Sequence, residues 1–183
     1  MSSKQIIITI SILCSLIIGL TQNVMKANPN FSEIYRQAKS GNMDYLNNPN
    51  IDLNTKIHGL TPLLYVISLK DGDEAVKNLL ASGANPNIPG VGNITPLRLA
   101  TLRGKKDVVE ALLAAGAYLN HPVDLPGQTA LDIANKKGFK DIVEILEREK
   151  EKRNQAFKDF IKEVIQSTNL LPELTEIIHE YIY

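Results

Sequence analysis

The chain has 183 residues, with 20 Lys and Arg balanced by 20 Asp and Glu, three His, one Cys and no Trp. A formal charge of zero gives it no general attraction to nucleic acid, and a single thiol excludes a framework of internal disulfides. The length fits one domain large enough to bury its own core.

The first 27 residues stand apart. Lys4 precedes a 15-residue apolar run from Ile6 to Leu20, and no acid occurs before Glu33. This pattern fits a secretory signal peptide better than a spanning helix of about 20 residues. Cleavage is expected between Thr21 and Ala27, although Met25 is larger than a cleavage site prefers. An uncleaved leader would instead anchor the protein, the one case in which a membrane partner is expected. Cys14 sits inside the run behind Leu13, where a lipoprotein would need a small residue. Loss of residues 1–27 removes Lys4 and Lys26 and no acid, leaving 18 bases against 20 acids, a charge of −2 and no thiol. Such a chain suits a secreted or periplasmic location.

Three strings then recur at 34-residue intervals: Thr61-Pro62-Leu63-Leu64, Thr95-Pro96-Leu97-Arg98 and Thr129-Ala130-Leu131-Asp132. Gly104 and Gly138 each fall nine residues after their Thr. Val108-Val109 and Ile142-Val143 follow, and Gly83-Ala84-Asn85-Pro86-Asn87 and Gly116-Ala117-Tyr118-Leu119-Asn120 close two of the units. A constant period of this length predicts stacked units whose cores form between neighbours. Together the strings resemble the ankyrin repeat, with three clear units. Phe31 to Asn54 is similar to a degenerate first unit, as expected of a terminal repeat. The resemblance implies an all-α solenoid of stacked helix pairs with hairpin fingers over residues 28–150.

Each element has a physical reason. Thr accepts hydrogen bonds from the orphan amides of a helix start, and Pro at the first helical position loses no bond. Gly104 and Gly138 allow the left-handed turn that caps a helix C-terminus. The glycine that precedes Thr-Pro is present as Gly59 and Gly127 but replaced by Asn93, which tolerates the same conformation. Two departures carry expectations. The unit at Thr61 has one extra residue between its helices, around Lys70-Asp71-Gly72-Asp73, so Gly72 is expected to be more tolerant of a side chain than Gly104. The family's His after Thr-Pro-Leu is Leu64, Arg98 and Asp132 here, so hydrogen bonds between units are expected to be lost and the stacking to loosen.

Residues 151–183 form the third segment, read as C-terminal amphipathic helices. Mixed charges from Glu147 to Arg153 continue the last repeat helix as a solvated bridge. Phe157, Phe160, Ile161, Val164 and Ile165 then mark one face at spacings of three and four, and Ser167-Thr168-Asn169 ends the helix. A final amphipathic stretch follows, with Leu174, Ile177, Ile178, Tyr181 and Ile182 on one side. It is expected to fold back over the open end of the solenoid. The string from Leu170 to Ile178 also resembles the opening helix of an F-box, which implies the alternative of a secreted adaptor that recruits host ubiquitin machinery.

No catalytic, cofactor-binding or metal site is expected. His58, His121 and His179 lack metal-ligand spacing. Pro89-Gly90-Val91-Gly92-Asn93 has no P-loop Lys and is read as a finger turn. No enzyme activity and no small-molecule substrate are expected; the resemblance implies a protein partner bound through finger tips and the concave face of the first helices. The matching positions are Ile57, His58, Leu60, Val91, Ile94, Leu125 and Gln128 on the fingers, and Leu69, Leu102, Arg103, Lys136 and Lys137 on the helices. Arg103, Lys105, Lys106, Lys136, Lys137 and Lys140 form a basic cluster that compensates helix dipoles or meets an acidic partner.

Overall fold

The computed structural model describes residues 31–121 and 128–167. The leader, Leu125 and the stretch from Thr168 onward therefore lie outside the described residues. Eight α-helices follow in chain order among those described: α1 (Phe31–Ser40), α2 (Met43–Leu46), α3 (Pro62–Ser68), α4 (Asp73–Ala81), α5 (Pro96–Leu102), α6 (Lys106–Ala114), α7 (Ala130–Lys137) and α8 (Lys140–Ser167). The described residues contain no strand, only one antiparallel bridge between Ile57 and Leu60 in the first finger.

The helix starts follow from the repeated threonines. Thr61, Thr95 and Thr129 are each extended, and each side chain accepts the backbone amide three residues on, from Leu64, Arg98 and Asp132. Asp132 adds a reciprocal bond to the Thr129 amide, completing a capping box. The substitution of the family's His by Asp thus supports its own helix. Helices α3, α5 and α7 stack as one layer, and α4, α6 and α8 as a second. Between them lies one core, to which Leu63, Val66, Val76, Leu79, Leu97, Ala100, Val109, Leu112, Ala134 and Leu146 contribute fully buried side chains. Small residues at Ala100 and Ala134 let the first-layer helices approach closely. The degenerate first unit joins through α1, whose Ile34 and Ala38 are buried; the Asn78 side chain donates to the Ala38 carbonyl at 2.8 Å.

Asparagine side chains hold the repeat ends in register. Asn54 accepts the amide of Asn85 at 2.8 Å, and Asn87 accepts that of Tyr118 at 2.8 Å while donating to the Gly116 carbonyl at 3.1 Å. After the last unit this job passes to a helix. The α8 side chain of Arg153 is oriented by Glu149 at 2.8 Å and donates to the Ala117 carbonyl at 3.0 Å. α8 itself runs unbroken across position 150 to Ser167.

One sequence expectation fails at Gly72. Its φ is −89°, an ordinary value, but a Cβ there would lie 2.2 Å from the Val66 carbonyl oxygen. The extra residue lets Leu69 leave α3 in an extended conformation, and the chain then returns against the α3 backbone. Gly72 is thus intolerant through contact, and Gly104 chiefly through its φ of +68°.

Candidate functional site

The fingers are built by positive-φ turns. His58 and Gly59 turn the first with φ of 51° and 76°, closing mutual hydrogen bonds between Ile57 and Leu60 at 2.9 and 3.0 Å. Gly92 and Asn93 turn the second, where the Gly90 amide donates to the Ile94 carbonyl at 2.8 Å. Asn93, at φ 57°, fills the glycine place as its side chain permits. Adjacent fingers touch: a Cβ on Gly59 would meet Val91 Cγ2 at 2.6 Å, and one on Gly90 would lie 3.3 Å from the Gly59 carbonyl oxygen.

That contact changes the status of the apolar finger residues. Ile57, Leu60 and Ile94 are half-buried, so they offer less free apolar surface than the sequence suggests. Val91 is the exception at 66% exposure. His58 and Gln128 are also exposed. On the helices Leu69 is half-buried, Leu102 is 37% exposed, and Arg103, Lys136 and Lys137 are exposed. Leu125 falls outside the described residues.

The expected loosening between units is corrected by Arg98. Its side chain is 7% exposed, and it donates to the Asn93 carbonyl at 3.0 Å and to Gln128 Oε1 at 3.1 Å. Arg98 thus ties its own finger to the base of the next and restores a link that the missing His suggested was lost. A guanidinium carries several donors in a planar fork, which suits it to two acceptors at once. Gln128, offered by the sequence as a contact residue, therefore also acts within the fold. The signal was present, since an Arg at a buried register position needs a polar partner.

The basic cluster divides in two. Lys105 donates to the Leu69 carbonyl at 2.6 Å and to Asp73 at 2.7 Å, with its side chain only 12% exposed. Lys106 lies 3.5 Å from Asp141 of the next unit. Both serve stacking. Arg103, Lys136 and Lys137 form no ion pair with the described residues and face solvent. An open groove of about 560 Å³ runs between the α3–α4 and α5–α6 turns and brings Leu69, Asp73, Arg103 and Lys106 together. One unit on, a second groove of about 340 Å³ is lined by Gly104, Lys106, Phe139 and Lys140. Shallow, charged grooves repeated along a stack suit a polypeptide surface better than an enclosed small molecule.

Among the described residues no group of His, Cys, Asp or Glu has the arrangement of a metal site, and no helix is long and apolar enough to cross a membrane. His58 projects from a finger, and His121 lies beside Tyr118 with ring centroids 5.7 Å apart.

The family model for ankyrin repeats (3 copies) matches residues 27–122 and, in a second register, 64–156. The chain is 35% identical over 94 residues to a protein of Arabidopsis thaliana named as the E3 ubiquitin-protein ligase XBAT35, covering 49% of this chain and 20% of that one. It is 42% identical over 72 residues to the ankyrin repeat protein YahD of Escherichia coli, covering 37% and 36%. It is also 42% identical over 67 residues to the glycerophosphocholine phosphodiesterase gde1 of Schizosaccharomyces pombe, covering 36% and 6%. The chain thus spans about a third or less of the length of these relatives.

Proposed function

This chain belongs to the ankyrin-repeat family, and from that premise we propose that it binds a specific protein partner, without catalysis, through its fingers and the exposed surface of α5 and α7. Ankyrin repeats make the chain a protein–protein interaction module and point to protein partners. The observation that carries the finer reading is the contrast within the basic cluster. Lys105 and Lys106 are neutralised between units, whereas Arg103, Lys136 and Lys137 stay exposed beside apolar Leu102, with Val91 exposed on the finger. An acidic partner surface with an apolar centre would match this arrangement, the charges acting mainly on association rate and the apolar contacts on residence time. Neither nucleic acid nor a small molecule is proposed as a ligand. The protein is further proposed to act outside the cytoplasm after its leader is cleaved between Thr21 and Ala27, which the intact mass of the native protein would check.

The test uses a partner identified by co-purification from native cells. Val91→Ser with Leu102→Ser should weaken binding at least tenfold, mainly through faster dissociation. Arg103→Glu with Lys136→Glu and Lys137→Glu should slow association and reduce its salt dependence. Circular dichroism should be unchanged in both, since these side chains are exposed. Unaltered rates in both folded variants would place the contact surface elsewhere. A second reading, an adaptor for ubiquitin machinery, has two supports: the F-box-like string from Leu170 to Ile178 and the printed name of the plant relative. Partner capture that survives both variants but is lost on removing residues 168–183 would favour it.

A further inference from the structure

Helices α3 and α5 each begin at a finger and end at the turn into the next helix, so these turns lie at the opposite edge of the layer. Along that edge the grooves of about 560 and 340 Å³ share Gly104 and Lys106 and form one trough across the turns of three units. Two of its lysines are taken: Lys105 is held by Asp73 and the Leu69 carbonyl, and Lys106 faces Asp141. Lys70, Arg103 and Lys140 remain, one in each successive unit, exposed and without an ion pair among the described residues. Against them stands Asp107, a lining carboxylate that is likewise unpaired among the described residues. The excess of positive charge is local, since the whole chain is formally neutral. Half-buried Leu69 and Phe139 give the trough an apolar lining, and Gly104 and Gly138 add no side chain to block it.

We propose that this trough takes an acidic peptide in the polyproline II conformation, with a carboxylate at every third residue. Charge gives the sign of the ligand, and the repeat gives its spacing. Packed helices lie about 8–10 Å apart, so one cation per unit recurs at about that distance. A polyproline II chain returns to the same face every three residues, a rise of about 9 Å, and stays in step over all three units. A β-strand brings alternate residues to one face at intervals of about 7 Å and falls out of step by the third unit. Shallow grooves with aromatic walls are also the kind that accept this conformation, and Phe139 supplies such a wall. Asp107 penalises a strand with a charge at every residue, such as a nucleic acid, and spares one whose charges are spaced. The trough goes beyond the finger reading and shares only Arg103 with it, so it is a second docking edge on the same array.

The test measures fluorescence anisotropy of two labelled peptides with the full chain at low salt, where exposed charges are least screened. The spaced probe is acetyl-Glu-Pro-Pro-Glu-Pro-Pro-Glu-amide, and the clustered probe, Pro-Pro-Glu-Glu-Glu-Pro-Pro with the same end groups, has the same composition and charge. The spaced probe should bind at least fivefold more tightly than the clustered one. Lys70→Glu with Arg103→Glu and Lys140→Glu should weaken its binding at least tenfold while circular dichroism stays unchanged, because all three side chains are exposed. Equal affinity for the two probes would reduce the trough to a diffuse positive patch and overturn the proposal. Failure of the spaced probe to bind, or binding that survives the charge reversals, would overturn it as well. Tighter binding of a single-stranded oligothymidylate of the same length would assign the edge to nucleic acid instead. Val91 and Leu102 lie outside the trough, so any of these failures leaves the finger reading standing.

Discussion

The turn between α3 and α4 and the turn between α5 and α6 do the same job in neighbouring units by different physics. The α5–α6 turn is short: Arg103 stays helical, Gly104 takes φ +68°, and its amide bonds the Thr101 carbonyl. The α3–α4 turn is one residue longer and has no left-handed position; Leu69 is extended and Gly72 presses on the Val66 carbonyl. The extra residue also carries a gain. Asp71 accepts hydrogen bonds from Tyr35 at 2.9 Å and from Lys39 of α1, while Asp73 reaches Lys105 of the following unit. This turn and the start of α4 thus link three units together. A glycine in a repeat position does not by itself say why glycine is needed.

The comparison is most sharply tested at Gly72. A Cβ there meets a backbone oxygen that cannot turn aside, so Gly72→Ala should cost about 3 kcal/mol, measured by denaturant unfolding. A loss below that of the Gly104 variant would restore the sequence expectation. Gly104→Val should cost about 2 kcal/mol, since the left-handed strain adds to a contact of 3.2 Å with the Phe139 ring, which can move. Gly138→Ala isolates the conformational component: φ is +71° and a Cβ would meet nothing within 4 Å, so about 1 kcal/mol is expected. If the Gly104 and Gly138 variants melted alike, the Phe139 contact would contribute nothing.

The smallest effect concerns charge. Hydrogen bonds from Lys39, then Tyr35, hold the Asp71 carboxyl below its ordinary value, and the bond to Asp71 raises the Lys39 ammonium. A depressed carboxylate stabilises the fold above its unfolded value and loses that contribution as pH falls through the folded one. The raised lysine contributes below its own unfolded value and loses this as pH rises past the folded one. Melting of Asp71→Asn should therefore lie slightly below that of the parent near neutrality, with the gap closing in acid and again in strong base. A gap independent of pH would mean that Asp71 acts through its hydrogen-bonded shape alone. Surface pairs of this kind are weak, so the difference should be the least of the four.

The sequence by itself determined the architecture. The 34-residue period, the capping threonines and the apolar positions of each helix pair are local or strictly periodic, so the stacked all-α fold is legible without coordinates. The left-handed glycines and Asn93 were legible for the same reason, as each follows from one residue's own backbone limits. Only tertiary structure decided the roles of side chains that reach between units. Arg98 looked like a lost hydrogen bond and proved to be a tie to Gln128, 30 residues on; Lys105 looked like part of a basic cluster that compensates helix dipoles or meets an acidic partner, and proved to be bound to Asp73. Ile57, Leu60 and Ile94 looked like exposed contacts and are half-buried, whereas His58, Val91, Leu102, Arg103, Gln128, Lys136 and Lys137 are exposed. Periodicity reports which way a side chain leaves its own helix; whether a neighbouring unit meets it depends on turn lengths and close approaches that no single repeat encodes.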